Sequence, residues 1–341
     1  MGQILFIKPA NSSFMIKDEA FLASQYNVTS FLYRYGNAWR HLRSLMALAV
    51  WLLRHLPAAD GVFIWFADYH SWLPVLLSRL LGKKSLLVLG GYDVACVPEF
   101  NYGVFVRPFR GWCARYSMRN AGYLLPVAKS MIKDIAEHAG PISATILPTP
   151  TGYSSRMWFP QGAKNEKMVL TVSAGQDLNR LKIKGLDLFA ETAALCPDYN
   201  FVIVGLQGEA KQVLECKKIT NLHLIDPLGI EPLRQYYQKA NIYMQLSLRE
   251  GLPNAVIEAM LCECVVIGSR SGGIPEAIGP AGFILDERTP EAAAATLHQA
   301  VAAASELRSQ SRQWAQTNFS EERRHTTLRS IIDGESAGNL T

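Results

Sequence analysis

Residues 247–276 read SLREGLPNAVIEAMLCECVVIGSRSGGIPE, and they follow an apolar run, NIYMQL, at 241–246. The run reads as a strand. After it the chain turns through Glu250, Gly251, Leu252 and Pro253 and enters a helix with Pro253 or Asn254 at its first positions, since proline's fixed φ and missing N–H suit a first helical turn. A second strand is expected at 264–268 (CVVIG), followed by a second glycine turn at Ser271, Gly272, Gly273, Ile274, Pro275 and Glu276. Strand, turn, helix, strand and turn in this order make a βαβ unit of a parallel sheet. Unpaired backbone N–H groups at the helix start favour a phosphate, through hydrogen bonding and through the helix dipole. Glu250 stands in the loop before the helix and Glu258 about one turn inside it, so two carboxylates reach one pocket from different walls. Carboxylates only accept hydrogen bonds, which suits the hydroxyls of a sugar or ribose. The second glycine turn can also bring backbone close to a ligand. Taken alone, Glu258 reads as an exposed surface glutamate; the surrounding pattern argues for a hydroxyl-rich, phosphate-bearing ligand.

The same alternation runs through the whole chain. Strands are expected at 3–7, 61–66, 84–90, 122–127 and 144–147, then at 168–174, 200–205, 222–225, 241–246, 264–268 and 282–285, mostly separated by helix-length segments. The fold class is therefore α/β, with two parallel sheets. The two series part at 148–167 (PTPTGYSSRMWFPQGAKNEK), whose Pro, Gly, Ser and charge without periodicity read as an interdomain hinge. The expected domains are 1–150 and 151–320, with 321–341 a helix that crosses back to the first domain and then frays. Ligands of open α/β sheets bind beyond the carboxyl ends of the strands, which places the chemistry in strand-end loops lining a cleft.

Composition narrows the class. A chain of 341 residues exceeds one ordinary core, and 49% hydrophobic with 18% charged residues is a folded composition. Cys96, Cys113, Cys196, Cys216, Cys262 and Cys264 show no repeated pair spacing, and no cleavable leader opens the chain, so reduced thiols in a cytoplasmic setting are expected. The C-x-C at Cys262 and Cys264 has no His or second Cys pair near it to complete a zinc site. The longest uncharged apolar run, SLMALAVWLL at 44–53, falls short of the ~20 residues a hydrocarbon core requires. The net charge of +5 is uneven, residues 1–160 carrying 16 Lys+Arg against 8 Asp+Glu. Arg107, Arg110, Arg115 and Arg119 interleave with aromatics at 101–119, and Trp39, Arg40, Arg43, Trp51 and Arg54 surround an apolar stripe at 39–55. Either segment suits an anionic membrane surface or a basic outer face of ordinary core helices. No nucleic-acid module accompanies the charge, and nucleic acid is not expected as a partner.

The segment from Glu250 to Met260 closely resembles the signature of two glutamates spaced eight apart in retaining GT-B glycosyltransferases, particularly glycosyltransferase family 4, and Gly272–Glu276 resembles the Gly-Gly-x-Pro-Glu turn that follows it there. The resemblance covers most of 168–330 and is looser over 1–150. It implies the GT-B architecture, two Rossmann-like doubly wound domains facing a cleft, the first for the acceptor and the second for the donor. It implies that Glu250 contacts the transferred sugar and Glu258 the ribose, with Gly251, Leu252, Pro253, Asn254 and Gly205 in the donor site. SAGQDLNRLKIKGLDLF at 173–189 is the second matching element. Arg180 and Lys184, four apart beside Gly185, resemble the family's phosphate clamp, while Lys182 is harder to place. Such cations would neutralise the charge of a departing diphosphate without a metal. No D-x-D triplet of the metal-holding kind occurs, so neither metal nor cofactor is expected.

The first half departs from the family. Pro9-Ala10-Asn11-Ser12-Ser13-Phe14 stands in place of a Gly-Gly loop, and in Gly90-Gly91-Tyr92-Asp93 a Tyr replaces the usual His. Asp93, Tyr92 and His70 are the expected cleft contacts from this side. The expected activity is transfer from a UDP- or GDP-sugar to a glycan or lipid-linked glycan, with retention by front-face displacement, cytoplasmic or peripheral on the inner face of the membrane. Alternatives are a nucleotide-sugar epimerase of the same fold and a noncatalytic sugar-nucleotide-binding subunit.

Overall fold

A computed structural model describes residues 2–334. The chain divides into two compact units, one formed by the residues up to Thr151 together with those from Arg324 onward, the other by Gly152–Arg323. The first unit contains β1 (Gln3–Lys8), β2 (Asn27–Leu32), β3 (Gly61–Trp65), β4 (Lys84–Leu89), β5 (Tyr123–Pro126) and β6 (Thr145–Ile146), all parallel in the order β2-β1-β3-β4-β5-β6. The second contains β7 (Asn165–Gly175), β8 (Asn200–Leu206), β9 (Leu222–Ile225), β10 (Ala240–Gln245), β11 (Val265–Gly268) and β12 (Gly282–Ile284), parallel in the order β12-β11-β10-β7-β8-β9. Both sheets are doubly wound: strand order reverses between β1 and β3 in one and between β7 and β10 in the other.

Helices on both faces of a parallel sheet bury the strands on both sides, and the central strands are accordingly near-continuous apolar runs. Every residue of β3 and of β10 is buried. One strand escapes the sequence pattern. β2, NVTSFL, lies at the sheet edge beside β1, and its residues are exposed or half-buried, so Asn, Thr and Ser are tolerated and the segment reads as a loop.

The supposed hinge at 148–167 is corrected by packing. β7 already begins at Asn165, and 152–164 is pinned onto the second unit. Trp158 is buried edge-to-face against Tyr237 with centroids 5.5 Å apart, Arg234 stacks over Phe159, and Lys164 Nζ donates to the carbonyls of Tyr237 (3.0 Å) and Cys262 (2.6 Å). The passage between units is therefore the Thr151–Gly152 junction, not a free stretch of twenty residues. The helix Glu321–Asp333 belongs to the first unit from Arg324 onward. There the buried Arg324 guanidinium donates to both Asp18 oxygens at 2.6 Å and to the carbonyls of Thr149 (2.8 Å) and Pro150 (2.9 Å). A buried ion pair is tolerable only when its remaining donors are satisfied in this way. The frayed tail expected after this helix falls outside the described residues.

Candidate functional site

In the second unit the reversal of strand order between β7 and β10 marks where a ligand would bind. The loops leaving these two strands are stitched together. After β7, Asp177 caps the helix Leu178–Ile183 by accepting from Arg180 N at 2.8 Å. Lys184 ends that helix, and Gly185 follows with φ +66°; a Cβ there would stand 2.0 Å from the Leu246 carbonyl, so only glycine allows the turn to press against the end of β10. Leu248 N donates to Ile183 O at 2.7 Å across the seam.

This seam brings Lys184 Nζ to 2.6 Å from Glu250 Oε1, in a pair with side chains 18% and 10% exposed. The same Oε1 accepts from Ser247 Oγ at 2.8 Å and from Gln245 Nε2 at 3.1 Å, while Oε2 has no partner among the described residues. Gln245 is oriented from behind: its Oε1 accepts from Tyr243 OH at 2.8 Å, which directs the amide nitrogen toward Glu250. Tyr243 is fully buried, and burial pushes its hydroxyl far above the ordinary tyrosine value, so it stays a proton donor. Tyr243, Gln245 and Ser247 lie at alternate positions, on one face of β10 and its continuation. Polar residues at period two in an otherwise apolar strand are the sequence signal of this relay.

The second glycine turn serves the first. Gly272, at φ +51°, would place a Cβ 2.0 Å from the Glu250 carbonyl, and Gly273 N donates to Gly251 O at 2.9 Å. Close approach here is therefore to the Glu250 loop, where the sequence alone suggests a ligand. The helix runs Asn254–Leu261, with Pro253 extended just before it. Gly251, Leu252 and Pro253 are buried, and Asn254 Oδ1 accepts from Tyr153 OH. Glu258 is half-buried and its Oε2 accepts from Tyr237 OH at 3.1 Å. The burial of Tyr237 and the neighbouring Glu258 charge hold that phenol protonated.

Arg180 and Lys182 are exposed. The Arg180 guanidinium makes no hydrogen bond or ion pair among the described residues, its stem lying beside Gly175. Arg180 thus offers an uncommitted cation, whereas Lys184 is already held by a carboxylate. Gly205, at φ +104°, would place a Cβ 3.1 Å from the Ser173 carbonyl, so its position lets β8 run close to β7. Among the described residues, no group of three or more His, Cys, Asp or Glu gathers as a metal site would require.

In the first unit, two of the three expected cleft residues are turned inward. His70 is fully buried; its Nε2 donates to Trp65 O at 2.7 Å and its Nδ1 accepts from Tyr35 OH at 3.1 Å. Burial lowers its pKa, which keeps the ring neutral. Asp93 is buried with one oxygen accepting from Gly90 N (3.0 Å) and Gly91 N (2.9 Å) and the other from Ala67 N (3.1 Å). It ties the loop after β4 to the loop after β3. Tyr92 is half-buried, and its hydroxyl accepts from Arg110 Nη1 at 3.2 Å. Arg110 in turn forms a bidentate pair with Asp68 and stacks over Tyr35, Tyr69 and Tyr92. Burial would raise the Asp68 pKa, but the hydrogen bonds and charge of Arg110, the neighbouring His70 and the Tyr69 amide together outweigh it and hold the carboxyl below its usual value.

Residues 167–303 match the family model described as Glycosyl transferases group 1. The chain is 31% identical over 127 residues to one of the subunits of the human phosphatidylinositol N-acetylglucosaminyltransferase, a match covering 35% of this chain and 26% of that protein. It therefore spans only about a quarter of that relative's length. Among solved structures, sucrose-phosphate synthase from Thermosynechococcus elongatus superposes with TM-score 0.81 at 15% identity, covering 98% of this chain and 99% of that one. HepE of Anabaena in complex with UDP-glucose gives 0.74 at 13% identity, covering 97% and 99%. The fold is that of GT-B glycosyltransferases, and the chain resembles glycosyltransferase family 4.

Proposed function

We propose that this chain is a glycosyltransferase that moves a sugar from a UDP- or GDP-sugar to a hydroxyl of a glycan or lipid-linked glycan acceptor, with retention and without a metal. The observation that carries this reading is the Lys184–Glu250 pair at the β7/β10 reversal, placed beside an unpaired Arg180. All three residues fall within the stretch matched by the family model.

Each group has a task that follows from its surroundings. Glu250 is held at Oε1 by three donors, which leaves Oε2 to accept from sugar hydroxyls. Glu258, steadied by Tyr237, takes the ribose hydroxyls. When the sugar–phosphate bond lengthens, negative charge grows on the diphosphate, and Arg180 and Lys184 oppose it. The departing diphosphate oxygen then accepts the proton of the acceptor hydroxyl as that hydroxyl attacks from the same face, so no protein nucleophile is needed. Two cations in place of a D-x-D triplet support metal independence. The UDP-glucose complex of HepE supports a nucleotide-sugar donor, and the human relative's name, a transfer to phosphatidylinositol, supports a lipid-borne acceptor, which the chain would meet at the cytoplasmic face of a membrane.

The test is a thermal-shift screen of UDP-, GDP-, ADP- and dTDP-sugars, followed by nucleotide release and NMR of the product anomer. One of them at 100 times its Kd should stabilise the protein by about 2.7 kcal/mol. An inverted product would overturn retention, an isomerised donor would make the protein an epimerase, and a sugar nucleotide bound without transfer would make it a noncatalytic binding protein. Equal stabilisation of wild type, Lys184→Met and Glu258→Gln would remove the site.

A further inference from the structure

The helix Ala38–His55 carries two apolar faces. Leu48 and Leu52 are buried, and Trp51 packs against Phe31 of β2 with centroids 5.3 Å apart. Trp39, Leu42, Met46, Val50 and Leu53 point the other way, with exposures from 47% at Leu42 to 75% at Trp39. Their spacing of three and four residues aligns them in one outward stripe, about 80° wide at 3.6 residues per turn. Arg43, Arg54 and Arg40 follow on one flank of the stripe, all exposed, and Arg34 is exposed just before the helix. None of the four makes an ion pair among the described residues. From residue 20 to residue 59 the sequence contains no Asp or Glu at all.

The patch does not end with this helix. His41 packs on Tyr69 (4.9 Å), Tyr69 on Phe109 (5.8 Å), and Phe109 stacks with Trp112 (6.1 Å). Phe109 and Trp112 are exposed, as is Arg107 beside them. The Arg/aromatic segment at 101–119 contributes its rings rather than its cations: Arg110 is spent on Asp68, while Arg115 and Arg119 donate to the carbonyls of His138 and Ala139.

We infer that the outward face of the helix Ala38–His55, with Phe109 and Trp112 at its margin, seats the first unit on an anionic lipid surface. The apolar stripe enters the acyl boundary, and the arginines beside it reach the lipid phosphates. A second copy of this chain is a poorer occupant, because a two-fold contact through this face would oppose arginines to arginines with no carboxylate to offset them. The inference names the partner surface for the proposed function, and its test needs no turnover.

Co-sedimentation of the full chain with vesicles of phosphatidylcholine alone, or mixed with phosphatidylglycerol, measures it directly. Retention is expected on the mixed vesicles, falling steeply with salt, and weak on the neutral ones. Each of Arg40→Gln, Arg43→Gln and Arg54→Gln should weaken partitioning about five-fold, and Met46→Glu with Val50→Glu should abolish it. These side chains are exposed, so thermal stability and sugar-nucleotide binding in the second unit should be unchanged, which separates failure here from failure of the proposed function. Equal retention on both vesicle types, no retention on either, or retention indifferent to Met46→Glu/Val50→Glu would overturn the inference. So would a dimer in sedimentation velocity that these two substitutions dissociate.

Discussion

Replacing Lys184 by Met tests the second unit's site as a physical object, apart from any reaction. Lys184 and Glu250 are 18% and 10% exposed, and breaking a buried pair from one side costs ~3–5 kcal/mol because the remaining charge is left uncompensated. Here Ser247 and Gln245 continue to donate to Glu250, each hydrogen bond contributing about 1 kcal/mol, so the cost should fall near the lower bound, on the order of 3 kcal/mol. Glu250→Gln leaves a lysine that can swing toward water and should cost about half as much. With both replaced, no charge is stranded, and the double variant should be less destabilised than the sum of the singles by about 2 kcal/mol. Because two units need not unfold together, the appropriate readout is local: hydrogen exchange of peptides covering 178–189 and 240–262. Turnover should behave differently. kcat/KM should drop roughly 100-fold in Lys184→Met and stay low in the double variant, since compensation of charge does not restore a cation facing the diphosphate. Additive destabilisation, or singles as protected as the wild type, would refute the pair as the element that locks the two loops together.

Arg180→Ala should leave stability unchanged, since the side chain is exposed and unpaired, yet lower kcat/KM about 100-fold; unchanged kinetics would take Arg180 out of the clamp. Gly272→Ala should displace the Glu250 loop, its Cβ arriving 2.0 Å from that carbonyl at a left-handed φ, and should cost more than the ~1 kcal/mol of an ordinary glycine exchange, read by urea unfolding. Asp93, whose pKa burial raises from 3.8 to about 6, favours the protonated form when folded. Its contribution to stability is therefore largest at low pH and declines as pH rises from about 4 to about 6, and Asp93→Asn should flatten the stability profile over that window whatever it does to the absolute level. Turnover should survive EDTA; loss on chelation that Mn²⁺ or Mg²⁺ restores would reinstate a metal.

Most strands are legible in this sequence because a doubly wound parallel sheet buries both faces of its strands, and a run such as VFIW at 62–65 has no other stable place. β2 is illegible for the converse reason: an edge strand that buries little need not be apolar. The break near residue 150 is visible in its prolines, but not its allegiance, which Trp158, Phe159 and Lys164 decide through partners about seventy-five to a hundred residues away. The same division governs the candidate site. Glu250 and Lys184 stand out from local spacing, while Tyr243 and Gln245 acquire meaning only once the loop after β10 folds back to put Glu250 above them. His70 and Asp93 do lie in strand-end loops, yet a loop position does not say which way a side chain faces. For both, the backbone groups nearby settle it: Trp65 O for one and the amides of Ala67, Gly90 and Gly91 for the other. A polar side chain next to unpaired backbone groups is drawn inward to satisfy them. The half-buried Tyr92, whose hydroxyl only accepts from Arg110, is therefore the one of the three that keeps a donor to offer a ligand.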